Sequence, residues 1–132
     1  MTDGIKELIR YKLDRARETL DEAGVMLDSG HIHGAANRVY YACFYAVTAL
    51  LLTRNLSSSR HRGVISLFNQ HFVKTGLVPV DMGKFYSRVF DNRLDSDYAD
   101  WTVVDEQDIN DTLREAQEFI GTIASLINRQ LS

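Results

Sequence analysis

Three short stretches of this sequence gather residue types that handle phosphates and protons. Arg38, Tyr41 and Tyr45 recur at spacings of three and four, which places them on one face of a helix. Arginine can clamp a phosphate, and tyrosine can stack on a base or donate a hydrogen bond. The same tyrosines can also pack into a core with their hydroxyls at its edge. The second stretch, Ser59-Arg60-His61-Arg62-Gly63-Val64, sits where a helix begins, and helix N-termini favour anions. Arg60 and Arg62 suit a phosphate or an RNA backbone, or form a solvated basic cap. His61 can move a proton, or can hydrogen-bond a loop as a structural residue. The third stretch, Asp91-Asn92-Arg93-Leu94-Asp95-Ser96-Asp97-Tyr98, sets Arg93 and Asp97 four apart. Such a pair can hold the arginine rigid for phosphate work, or close a helix end.

Other chemistries lack their pattern. Asp95, Asp97 and Asp100 resemble a metal site in composition but not in ligand spacing. His31, His33 and His71 form no metal spacing either, and Ser57 to Ser59 with His61 show neither a nucleophile elbow nor an oxyanion hole. There is no glycine-rich phosphate loop. No metal and no cofactor are expected.

These stretches need elements to position them, and the hydrophobic spacing supplies five helices. The first runs from about Asp3, a candidate N-cap, to Ser29, stopped by Gly30. Its inner face reads Ile5, Leu8, Ile9, Leu13, Ala16, Leu20, Ala23 and Leu27. The second runs from about His33 to Arg54, and its apolar residues cover more than half its circumference. Such a helix is central, or forms a dimer face. The third starts after Ser57 to Ser59 and runs to about Thr75, followed by an extended link, Leu77-Val78-Pro79-Val80. Asp81 caps the fourth, whose frayed end and loop fall at Asp95 to Trp101, and Asp105 opens the fifth. No strand is expected, and the fold class is all-α, a five-helix up-and-down antiparallel bundle.

Composition agrees with one such domain. The chain has 132 residues, 45% hydrophobic and 25% charged, with a single proline. Its net charge of −3 is not that of a general nucleic-acid coat, although a local basic cleft is compatible with it. The lone Cys43 excludes an internal disulfide framework and suits a reducing compartment. The N-terminus lacks the regions of a signal peptide, and the apolar stretch from Val39 to Leu52 is too short to span a bilayer. A cytoplasmic protein with no membrane partner is expected.

Arg38-Val39-Tyr40-Tyr41-Ala42, His61-Arg62-Gly63 and Arg93-x-x-x-Asp97-Tyr98, in that order on a five-helix pattern, resemble the HEPN domain superfamily, in particular its small stand-alone prokaryotic members. The resemblance spans about Gly34 to Phe119. It implies an antiparallel helical bundle, a homodimer, and a role with RNA or nucleotides. It also implies a toxin paired with a minimal nucleotidyltransferase antitoxin, cleaving RNA without metal. The family signature for that activity is Arg, four to six residues, then His. No His follows Arg93, and Tyr98 stands where the shortest form of the signature has its His. Arg54 and His61 satisfy the spacing but straddle the joint between the second and third helices.

Two functions follow from the resemblance. One is a toxin-like ribonuclease with Arg93 on the phosphate, Asp97 pairing it, His61 or Tyr98 moving protons, and Arg38, Tyr41, Arg60 and Arg62 contacting nucleotide or RNA. The other is a catalytically degenerate nucleotide- or RNA-binding module serving as the partner subunit of a nucleotidyltransferase. A third reading, independent of RNA, is a helical interaction protein whose polar motifs only close the bundle.

Overall fold

A computed structural model of the chain describes residues 1–98 and 106–131. It contains α1 (Asp3–Asp28), α2 (Ile32–Leu52), α3 (His61–Phe68), a five-residue π turn (Asn69–Val73), α4 (Val80–Tyr98) and α5 (Glu106–Leu131). Among the described residues there is no strand, and the fold is the all-α five-helix bundle that the spacing predicts.

The helix ends follow local chemistry. Thr2, rather than Asp3, caps α1: its Oγ1 accepts from the Ile5 N–H at 3.2 Å. Asp3 falls in the first turn, where a carboxylate meets the positive end of the helix. At the other end Gly30, at φ 82°, adopts the left-handed conformation. There the Gly30 N–H reaches the Leu27 carbonyl and the His31 N–H the Met26 carbonyl, a paired closure that favours glycine. The same closure ends α2, with Asn55 at φ 57° in the glycine's place: the Asn55 N–H donates to Leu52 and the Leu56 N–H to Leu51.

α2 is the hub. It packs against α1, α3, α4 and α5, and its Ala35, Val39, Tyr40, Cys43, Val47 and Leu50 are at most 1% exposed. A helix apolar around most of its surface belongs in the middle of a bundle. Burial pushes the Cys43 thiol up, so the thiol stays protonated and packs as a small hydrophobe.

Three features depart from the sequence reading. Leu8 is 43% exposed, at the outer margin of the α1 stripe. The third helix does not run evenly to Thr75: after Phe68 the Lys74 N–H reaches back to the Asn69 carbonyl, widening one turn. α4 packs on that turn through Gly83, where an added Cβ would lie 3.0 Å from a Val73 methyl. α4 itself begins at Val80, not after a capping Asp81, and continues to Tyr98, past the expected fray at Asp95. Asp105, Asp100 and Trp101 lie outside the described residues.

Candidate functional site

α2 supplies the floor of the site. Neighbouring helix positions diverge by about 100°, so Tyr40 points into the core while Tyr41 emerges at its edge. Phe44, one turn on, extends the aromatic surface: Tyr40 and Phe44 rings lie 6.0 Å apart and Tyr41 and Phe44 6.2 Å. Such ring pairs favour tilted and edge contacts of this kind.

α3 delivers His61 onto that floor. The chain enters α3 through Arg60, whose N–H donates to Ser58 Oγ at 3.2 Å. That contact is possible because residue 63 is glycine: a Cβ there would stand 2.1 Å from Ser58 Oγ. His61, the first residue of the helix, stacks on Phe44 at 4.7 Å with an interplanar angle of 21°. Its Nδ1 shares a hydrogen bond of 2.5 Å with the Tyr40 hydroxyl. Partial burial, helped by the positive charge of Arg93, holds His61 below its ordinary value, so the ring is neutral at neutral pH.

α4 closes the site with Phe90 and Arg93. Phe90 lies 5.6 Å from the Tyr40 ring and 6.3 Å from His61. Arg93 Nη2 donates to the Tyr41 hydroxyl at 3.1 Å, and its guanidinium stands 5.4 Å from both tyrosine rings. The cation is thereby placed over π faces that attract it.

The expected site residues divide. His61, Arg93 and Tyr41 come together. Arg62 joins at the rim, its guanidinium 5.3 Å from the Phe90 ring, and Arg60 is exposed at the entry to α3. Arg38 goes elsewhere: its Nε pairs with Glu22 of α1 at 3.5 Å. Tyr45 likewise turns to α1, under the Arg15 guanidinium at 5.4 Å. Arg54 lies over Phe72 at 4.7 Å rather than against His61. Asp97 and Tyr98 lie in the last turn of α4, but their side chains are outside the described residues. Tyr40, Phe44 and Phe90 also wall the site, and hydrophobic spacing along α2 and α4 does not single them out for it. The signal for Tyr40 was its polar tip, which needs a partner in an apolar helix.

Every described side chain named in this cluster is neutral or cationic, which suits an anionic ligand. Among the described residues no three metal-ligating side chains gather. A groove of about 670 Å³ between the π turn and α4, lined by Asn69, Lys84 and Arg88, shares none of these residues. No described helix is long and apolar enough to cross a membrane.

The chain is 45% identical over 122 residues to a UPF0332 protein of Thermotoga maritima, covering 92% of each chain. It is 30% identical over 127 residues to a Methanocaldococcus jannaschii protein named "Putative toxin MJ0605", covering 96% of this chain and 94% of that one. Its fold matches the crystal structure of TT1696 from Thermus thermophilus with a TM-score of 0.75 at 19% identity, over 89% of this chain and 97% of that one. The HEPN domain matches residues 9–126, and the chain belongs to the HEPN domain family.

Proposed function

We infer that this protein is the toxin-like component of a toxin–antitoxin pair, cleaving RNA without a metal ion. Its antitoxin is a minimal nucleotidyltransferase, and the pair acts in the cytoplasm. The supporting observation is the convergence of His61 and Arg93, from different helices, on the same two tyrosine rings. In the reaction the RNA 2′-oxygen forms a bond to its adjacent phosphorus and the bond to the 5′-oxygen breaks. The 2′-hydroxyl proton leaves and a proton returns to the departing oxygen. Arg93 stabilises the charge gathering on the phosphoryl oxygens, while His61 and Tyr98 are the groups able to handle protons. Arg60 and Arg62 lead the backbone toward the site, and Asp97, four residues after Arg93 in the sequence, is the carboxylate proposed to pair with it. The protein works as a homodimer, with the cleft completed by the second copy.

A second reading has its own support. His61 Nδ1 is already occupied by Tyr40, and no His follows Arg93. Both favour a nucleotide- or RNA-binding module that serves as partner subunit of the nucleotidyltransferase. RNA cleavage by purified protein in chelator separates the two, with Arg93→Ala and His61→Ala beside the wild type. Cleavage lost in either variant supports the ribonuclease. No cleavage by the wild type, together with RNA binding that Arg93→Ala weakens, supports the binding module. A monomer by light scattering at micromolar concentration argues against a shared cleft.

A further inference from the structure

Tyr40 is fully buried yet carries a hydroxyl, and the destination of its proton decides what the site offers a ligand. Among the described residues the partners within reach are few. The Tyr86 ring stacks on Tyr40 at 6.2 Å and nearly parallel, but its hydroxyl stops short of hydrogen-bonding geometry. His61 Nδ1 is the atom in bonding contact. Burial pushes Tyr40 up to about 12 against the opposing positive charge of Arg93, so the phenol keeps its proton. His61 is neutral and so carries one N–H and one lone pair. Among the described residues, the titratable and charged groups facing it are Tyr40 and Tyr41 from α2 and Arg93 from α4, with Arg60 and Arg62 beside it in sequence. Since Tyr40 brings the proton to Nδ1, the imidazole proton resides on Nε2.

We propose that Tyr40 is a positioning residue whose buried hydroxyl donates to His61 Nδ1, pins the ring against Phe44, and leaves the Nε2–H as the group His61 presents to a phosphate oxygen beside Arg93. In this arrangement His61 meets its ligand as a hydrogen-bond donor, which leaves the proton transfers of the ribonuclease reading to Tyr98. The hydroxyl does for the ring what a carbonyl or carboxylate does for other functional histidines, with opposite polarity, because it gives a proton instead of accepting one. The choice of ligand rests on the reading of the cleft as a phosphate site. The proton assignment does not.

The test is a two-bond proton–nitrogen correlation spectrum of the uniformly ¹⁵N-labelled full chain at neutral pH, with His61 assigned through His61→Ala. The expected spectrum shows His61 protonated at Nε2 and a slowly exchanging Tyr40 hydroxyl proton coupled to Nδ1. Tyr40→Phe removes the hydroxyl signal. With the helical fold intact by circular dichroism, it weakens binding of a short single-stranded RNA about fivefold, the value of one neutral hydrogen bond. Protonation at Nδ1 in the wild type overturns the proposal, and that spectrum decides the donor direction even if the variant does not fold. Unchanged RNA affinity in a folded Tyr40→Phe overturns the positioning role. A wild type that shows the Nε2–H form but binds no RNA upholds the proton assignment and removes the phosphate reading instead.

Discussion

Replacing Gly63 with alanine tests how His61 is held in place. The new Cβ would stand 2.1 Å from Ser58 Oγ and 2.9 Å from Ser58 Cβ. Both distances are below any real contact, so rotating the serine hydroxyl away does not relieve the clash; the Ser58 backbone or the start of α3 has to move. Overpacking of this kind costs about 1–3 kcal/mol. Displacing Ser58 also breaks its acceptance of the Arg60 N–H at 3.2 Å, worth about 1 kcal/mol. The sum is about 2–4 kcal/mol, which for a chain of this size lowers Tm by about 10 °C. Thermal and urea unfolding of Gly63→Ala, Ser58→Gly and the double variant give the magnitude and its origin. Ser58→Gly removes both clashing atoms, so the double variant should recover most of the overpacking loss, a coupling that a double-mutant cycle isolates. Gly63→Ala within about 0.5 kcal/mol of wild type, or a double variant no better than the single one, would refute the reasoning.

Three further outcomes are expected. Tyr41→Phe removes the hydroxyl that Arg93 Nη2 reaches but keeps the ring beneath the cation; it should lower stability by about 1 kcal/mol and weaken RNA binding less than Arg93→Ala does in the same titration. Unfolded His61 titrates near 6.5 and folded His61 lower, so the unfolded chain takes up the extra proton first as pH falls. Urea melts should therefore show stability dropping below about pH 6.5 and levelling off below the folded value; His61→Gln should lack this component, and parallel profiles would count against it. Asn55→Val, at φ 57°, should destabilise by about 1 kcal/mol or more in the same melts, while Asn55→Gly should be tolerated.

The fold was legible because apolar residues at spacings of three and four define helices wherever they persist. Its irregularities left weaker traces. The π turn keeps Phe68 and Phe72 both inward, so the spacing reads as one continuous helix. Leu8 fits the α1 pattern, but a stripe does not reveal how far its neighbours reach across it. Asp95, Ser96 and Asp97 read as a loop because such residues favour turns, yet α4 continues through them. In the site, Arg93, His61 and Tyr41 were legible as polar groups interrupting apolar helices. Arg38 shares a helical face with Tyr41, but adjacent positions on one face answer to different neighbours: Glu22 on α1 for one, Arg93 on α4 for the other. The polar tip of Tyr40 signals that it needs a partner but not which one, because spacing along α2 carries no information about α3.

The central helix has a consequence for how this protein can change over generations. Tyr40 and Tyr41 are consecutive residues: one is sealed in the core and the other holds Arg93. Substitutions at these two positions of α2 therefore disturb the core and the Arg93 contact together. The entry to α3 and the rim that carries Arg60 and Arg62 are exposed, and exposed positions tolerate exchange better than buried ones. On the proposed reading, a change of ligand should come more readily at those rims than on the tyrosine floor.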